Sequence, residues 1–541
     1  MTFSEEQTPF YGILAPMSEA KGKNNENLLE EGVAEQPSIN TLSCATLEGV
    51  VARQIEVEAT FTKGLPGFSV VGLAGSDIQE ARERVKAALL TNDFVFPPLK
   101  ITINLSPSDI GKSGTHFDLP IALLIALHRE EIKTEDFYVF GELGLDGRIK
   151  TSSRIFPLLL SLKEQGLISR AMVPTEAMEH LRHIPGIEYW PVETLADAIA
   201  VLRSGRGERV QTEAHGYEAE SLELKGERYY YRHEYPEDFR EVKGQEIAKR
   251  AALIAAAGMH NYLMEGSPGC GKSMVAKRLR HILPPMAEQE LLAVAKHQFL
   301  DGQIPDFSPV RPFRSPHHTA TPASIFGGGS QSARIGEVAL AHEGVLFFDE
   351  LPHFAKNVLE ALREPMQDRK VHIARVHSKV SYEADFMFVA AMNPCPCGNL
   401  LSKSRECRCS EPEIKRYRNR LSDPFLDRID LFVTMQEVES GDRSGVDSAA
   451  MHRQVLEAFT RQKERGQIRL NGKLNEAEVD RYCRLDTEAQ GILDRAVSRF
   501  ALSHRSIVSI KKVARTIADL EGSETIGKKH MLEALSYRRR K

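Results

Sequence analysis

The sequence predicts an α/β multidomain protein, with two blocks of mixed strands and helices followed by a helix-only region. Three observations carry that prediction. Alternating or apolar runs such as "IEVEATF" and "KITINL" read as strands, while "DIQEARERVKAALLTN" has helical spacing. A second α/β block opens near Asp238, where apolar strands lead into turns rich in glycine or acid. From about Val446 to Lys541 only helical periodicity remains.

Taken in order, residues 1–39 are polar, acidic and aperiodic, the signature of a mobile extension. Residues 40–205 form the first α/β domain, and its segment "FDLPIALLIALH" is apolar on most faces, as a buried helix must be. Residues 206–237 are charged and poor in apolar side chains, which reads as an interdomain linker. Residues 238–445 form the second α/β block and 446–541 the helical region.

A chain of 541 residues exceeds what one core organises, and 42% hydrophobic with 27% charged residues is the balance of a globular protein. The formal charge of -5 gives no global attraction to nucleic acid, so DNA binding requires local basic patches. No apolar run approaches the ~18 residues of a membrane span. The N-terminus lacks the order of a signal peptide, which predicts a cytoplasmic protein without membrane contact. Thiols stay reduced there, so clustered cysteines point to metal.

The strongest motif is "YLMEGSPGCGKSMVAKRL", which carries G-x-x-x-x-G-K-S over Gly266, Ser267, Pro268, Gly269, Cys270, Gly271, Lys272 and Ser273. Its glycines let backbone N–H groups wrap phosphates, Lys272 neutralises β/γ-phosphate charge, and Ser273 holds Mg²⁺. The acidic pair Asp349-Glu350 ends the apolar strand of "GVLFFDELPHF", a place from which Asp349 reaches Mg²⁺ and Glu350 activates water. A third strand, "MFVAAMNP", ends at Asn393, whose amide can orient that water. Further on, "YRNRLSDPFLDRIDLF" supplies Arg420 and Arg428, and "SHRSIVSI" supplies Arg505. Arginines stabilise phosphoryl-transfer charge, and one from a neighbouring subunit makes hydrolysis depend on assembly.

"DRKVHIARVHSKVSYEADF" alternates like a β-hairpin and carries Lys370, Arg375 and Lys379, candidates for tracking DNA phosphates. His317 and His318 are adjacent in a separate loop, where packing or capping is a simpler role than metal binding. Cys395-x-Cys397-Gly and Cys407-x-Cys409 place four thiolates in one window, a donor set for a structural Zn²⁺ with no open position for catalysis.

Together these segments resemble an AAA+ ATPase. "RPFRSPHHTAT", "GEVALAHEGVLFFDEL", "AMNPCPCG" and "FLDRIDL" narrow the resemblance to the magnesium-chelatase-like branch, specifically the ComM/YifB competence family. "GLPGFSVVGL" and "ITINLSPSDIGKSGTHFDLPIALLIAL" resemble the Lon-protease-like domain of that family. The resemblance covers about residues 40–541 and implies an ATP-hydrolysing, ring-shaped homo-hexamer that moves branched or single-stranded DNA through a central pore during natural transformation. It also implies Walker A at Lys272 and Ser273, Walker B at Asp349 and Glu350, sensor 1 at Asn393, a trans-acting finger at Arg428 with Arg420 as second candidate, and sensor 2 at Arg505 in a C-terminal helical lid.

The chain departs from the family pattern at Ile335, where proline is usual, and at Asp423, where glycine is usual. A Lon-type protease needs a Ser–Lys dyad, but Thr115-His116 stand at the serine's place and the following helix has no lysine before Lys163, so the first domain reads as non-proteolytic. The alternative function is the ATPase subunit of a metal-insertion machine, because magnesium chelatases share the ATPase core.

Overall fold

In the computed structural model, residues 40–130, 137–205, 207–212, 217–328, 334–374, 379–439 and 445–538 are described. The first block is built on an eight-stranded sheet whose centre is the antiparallel hairpin of Asn40–Glu48 and Val51–Thr62. Ile55, Val57 and Ala59 are buried while Glu56 and Glu58 between them point away, the two-residue period of a strand with one face on a core. The helix Asp118–Ala126 is buried along nearly its whole length, as its apolar composition requires. Its one acid, Asp118, is held by Arg84 through hydrogen bonds of 2.7 and 2.9 Å.

At the places a Lon-type dyad would occupy, Thr115 Oγ1 donates to Glu142 and buried His116 pairs through Nε2 with the Ala45 carbonyl at 2.8 Å. Lys163 Nζ donates to the Gly186 carbonyl at 2.8 Å. Each group has a structural partner of its own.

Within the segment expected to link the two blocks, described residues contribute to two sheets. Val210–Gln211 pairs at the edge of the large sheet, while Glu220–Leu224 and Glu227–Tyr231 form a hairpin extended by Met286–Ala287. Charge along this segment conceals its aromatic anchors, since Tyr217, Tyr229 and Tyr230 are buried. The helix Glu288–Leu300 packs on the helix Ile155–Glu164, with Lys296 bonded to Glu164 at 3.0 Å and Phe299 against Phe156 at 4.8 Å between ring centroids. The two α/β blocks therefore share one apolar cluster. They meet again at the hairpin turn of the first block, where Gly49 lies so close to Val380 that an added Cβ would come within 2.5 Å of its Cγ1.

The second block holds a five-stranded parallel sheet in the spatial order Phe313–Arg314, Val345–Phe348, Met387–Met392, Tyr262–Gly266, Leu431–Met435. Val345–Phe348 and Met387–Met392 are buried at every position, because a parallel sheet is covered on both faces. From residue 445 to 538 every regular element is helical, and the long helices Ser448–Glu464 and His504–Leu520 pack on Glu246–Gly258. Among the described residues no helix is long and apolar enough to cross a membrane.

Candidate nucleotide site and cysteine cluster

Three neighbouring strands of a parallel sheet deliver their carboxyl ends to one edge, and here those ends are Gly266, Phe348 and Met392. After Gly266 the chain turns tightly, with Gly269 and Gly271 at φ 82° and 94°, a region that favours glycine. Gly266 itself has no room for a side chain, since a Cβ would meet the Met435 carbonyl oxygen at 2.9 Å. The helix Lys272–Leu279 follows at once, so its open N–H groups face the loop.

Lys272 is buried, and its ammonium donates to the Gly266 carbonyl at 2.7 Å, the Ser267 carbonyl at 3.0 Å and Asn393 Oδ1 at 3.2 Å. Ser267 Oγ is buried without a partner among the described residues, a polar atom left for a ligand. Cys270 packs inside the loop, and burial pushes its thiol up despite the Lys272 charge beside it. Ser273 Oγ donates to Asp349 Oδ2 at 2.7 Å, and the Glu350 amide donates to Asp349 Oδ1 at 2.9 Å. Lys272, Ser273, Asp349 and Asn393 are thus joined directly.

Glu350 adopts φ 50° and ψ 45°, a left-handed conformation costing about 1–3 kcal/mol for a residue of this type. Stacking of Phe354 on Phe348 at 4.0 Å fixes the turn that imposes it. The result is a half-exposed carboxylate beside the phosphate loop, with His318 Nδ1 at 3.7 Å from its Oε2. His318 therefore touches the acidic pair, which its loop position alone did not indicate.

The four cysteines converge as well. The Sγ atoms of Cys395, Cys397, Cys407 and Cys409 all lie within 4.8 Å of one another, and three of their separations are 3.4, 3.7 and 3.7 Å. A tetrahedron with Zn–S bonds of ~2.3 Å has edges of ~3.8 Å, so the thiol set fits this metal. Backbone N–H groups of Asn399 and Arg408 aimed at Cys397 hold its thiol down, while the neighbouring thiols of the cluster push Cys407 and Cys409 up, so the four sulfurs share charge unevenly. Gly398, at φ 79°, connects this cluster to the phosphate loop, because a Cβ there would come 2.6 Å from Pro268 Cδ. Gly398→Ala should accordingly weaken ATP binding while leaving metal content intact, which nucleotide titration and metal analysis of one preparation would check.

Arg428 and Arg505 lie elsewhere. Asn261, just before the phosphate-loop strand, donates from Nδ2 to the Arg428 carbonyl at 2.8 Å, which puts Arg428 at the amino end of the sheet. The five-residue strand Tyr262–Gly266 separates it from the phosphate loop by ~16 Å. Arg505 joins Arg428 there, and both donate to Gln367 Oε1, at 2.7 Å from Arg428 and 2.9 Å from Arg505. Arg420 is exposed. Gln367 has no counterpart in the sequence reading, since a glutamine inside a helix has no spacing signature. Lys370–Ala374 and Lys379–Glu383 form the expected antiparallel hairpin, with exposed Lys370 opposite Glu383. Lys379 contributes its backbone to this ladder, and Arg375 lies outside the described residues.

Residues 238–443 match the family described as magnesium chelatase, subunit ChlI, while 57–177 match subunit ChlI of Mg-chelatase and 445–538 its C-terminal region. Competence protein ComM of Haemophilus influenzae is 36% identical over 501 residues, covering 91% of this chain and 95% of that relative. The uncharacterized protein YifB of Salmonella typhimurium is 38% identical over 503 residues, again 91% and 95% of the two chains. The chain belongs to the ComM/YifB family. A more distant likeness reaches the magnesium-chelatase 67 kDa subunit of Heliobacterium mobile, 24% identical over 183 residues, 28% of this chain and 27% of that one. Membership in this magnesium-chelatase-like family implies ATP and Mg²⁺. The hydroxyl of Ser273 and the carboxylate of Asp349 are hard oxygen donors of the kind Mg²⁺ takes, and the partnerless Ser267 hydroxyl opens into the same loop.

Proposed function

We propose that this protein is a Mg²⁺-dependent ATP hydrolase that assembles as a homo-hexameric ring and moves branched or single-stranded DNA, promoting branch migration or helicase activity during DNA uptake and recombination in the cytoplasm. The observation that carries this reading is the division of the catalytic groups between two ends of one sheet. Lys272 and Asn393, and Ser273 and Asp349, are bonded at the phosphate loop with Glu350 next in the chain, whereas Arg428 is anchored beside Arg505 at the amino end of the same sheet, a strand's length of ~16 Å away, a placement that supports action on another copy.

Backbone N–H groups of residues 269–272 and the Lys272 ammonium bind the β- and γ-phosphates. Ser273 and Asp349 hold Mg²⁺, which supplies charge neutralisation at the phosphate oxygens. Glu350 accepts the proton of the attacking water, and Asn393 orients that water. Arg428 from the adjacent subunit stabilises charge on the transferred phosphoryl group. Lys370 and Lys379 on the hairpin, together with Arg375, track DNA phosphates without reading bases. Cys395, Cys397, Cys407 and Cys409 would hold a structural Zn²⁺, which would tie together the chain between Asn393 and Arg428, and Gly398 beside them packs closely on Pro268.

Two measurements test this. ATP turnover by the purified chain should rise with forked or single-stranded DNA, and absence of both DNA binding and stimulation would overturn the motor reading in favour of a metal-insertion ATPase. Protein prepared without chelators should carry about one zinc per chain. Cys397→Ser or Cys407→Ser should lose that metal, and an unchanged zinc content would remove the cysteines from the role.

A further inference from the structure

Two arginines that a reader of the sequence would treat separately are gathered by one amide. Gln367 lies in the helix Arg363–Asp368, and its Oε1 accepts from Arg428 Nη2 and from Arg505 Nη2 at 2.7 and 2.9 Å. Arg428 is fixed further, with Nε donating to the Arg363 carbonyl at 3.0 Å and Nη1 to the Pro424 carbonyl at 2.6 Å. Every acceptor on Arg428 is therefore neutral.

The charge of this pair is only partly offset. Burial, followed by the charges of Arg505 and Arg363, pushes the Arg428 guanidinium below the usual arginine range, against the weaker opposing fields of Asp368 and Asp427. Asp368 ends the helix that carries Gln367, while Glu360 bonds Arg363 at 2.7 Å and Asp427 lies 3.4 Å from Arg538. Neither Arg428 nor Arg505 has an ion-pair partner among the described residues, whereas Arg363 has Glu360. Holding two like charges together costs free energy, and a shared acceptor lowers that cost without neutralising either one. An arrangement of this kind is completed by an anion from outside the chain.

We propose that Gln367 is a positioning residue that pairs Arg428 with Arg505 as a two-armed clamp for the polyphosphate bound to a neighbouring copy of the chain. The inference rests on the reading that Arg428 acts in trans. Gln367 touches no nucleotide itself. Its oxygen sets where both guanidinium groups point, and a misplacement of about 1 Å at such a group costs on the order of 10²-fold in rate.

The test compares Gln367→Leu, Gln367→Glu and Arg428→Ala in the full-length chain, with ATP turnover, nucleotide affinity and thermal melting measured for each. Gln367→Leu removes the acceptor and should lower kcat by about 10- to 100-fold without weakening the chain's own affinity for ATP. Gln367→Glu keeps an acceptor for both arginines and should restore most of that loss.

Mixing supplies the reading that a local folding fault would not give. Gln367→Leu subunits, whose own phosphate loops are intact, should recover turnover when mixed with Lys272→Ala subunits, which cannot hydrolyse ATP but present an intact Gln367–Arg428–Arg505 group. No recovery of Gln367→Leu beside clear recovery of Arg428→Ala would overturn the role of Gln367, as would wild-type turnover by the Leu variant. Failure of Arg428→Ala to recover in the same mixtures would instead strike the trans reading itself.

Discussion

Glu350→Gln should leave a protein that binds ATP and barely turns it over, with kcat lowered about 10²- to 10⁴-fold. The substitution is nearly isosteric, and the backbone strain at φ 50° is imposed by the packed turn and not by the carboxylate, so the fold should persist. In the proposed mechanism, what is lost is the group that accepts a proton from water. Asp349 cannot replace it, because its two oxygens are taken by Ser273 and by the Glu350 amide, a bond the Gln variant keeps. Lys272→Ala should differ in kind. It removes a buried ammonium that bridges the phosphate loop to Asn393, so ATP affinity falls along with turnover. Equilibrium binding of a fluorescent ATP analogue, read beside phosphate release, separates the two variants. Normal turnover by the Gln variant would take Glu350 out of its assigned role.

The difference between these variants reflects how the site is assembled, and that assembly was legible to different depths. Lys272, Ser273, Asp349 and Asn393 could be singled out from the sequence because Asp349 and Asn393 directly follow apolar strands of one parallel sheet, and Lys272 and Ser273 open the helix after the glycine loop that ends a third. Strands of such a sheet bring their carboxyl ends together whatever the rest of the chain does. The cysteine window was legible for a similar reason, since two C-x-C pairs in a short segment can meet without help from distant elements. Gln367 was not legible, because its importance arises only when Arg428 and Arg505 arrive from 61 and 138 residues away. The strands within residues 206–237 were hidden for a physical reason as well. Glu220, Glu223, Glu227 and Arg228 are exposed on a hairpin whose Tyr229 and Tyr230 are buried, and net polarity reports the covered face poorly. The contact of Glu350 with His318 belongs to the same class, a proximity created by tertiary folding of a loop.

Arg428→Ala should abolish hydrolysis by about 10³- to 10⁵-fold while leaving the affinity of the same subunit for ATP unchanged. The geometry sets both halves of this expectation. Arg428 is anchored through its carbonyl to Asn261 at the amino end of the sheet, a strand's length from the phosphate loop of its own chain, which supports the proposed action on a neighbouring copy. Hydrolysis that needs Arg428 consequently needs a second copy, so the specific activity of the wild-type protein should climb with protein concentration over the range in which the ring assembles. The variant should remain flat over that range even where sedimentation shows it assembled. Arg420→Ala is the control, since Arg420 is exposed and meets neither Gln367 nor Arg505. Concentration-independent activity in the wild type, or equal losses in the Arg420 and Arg428 variants, would refute the division of labour between the two ends of the sheet.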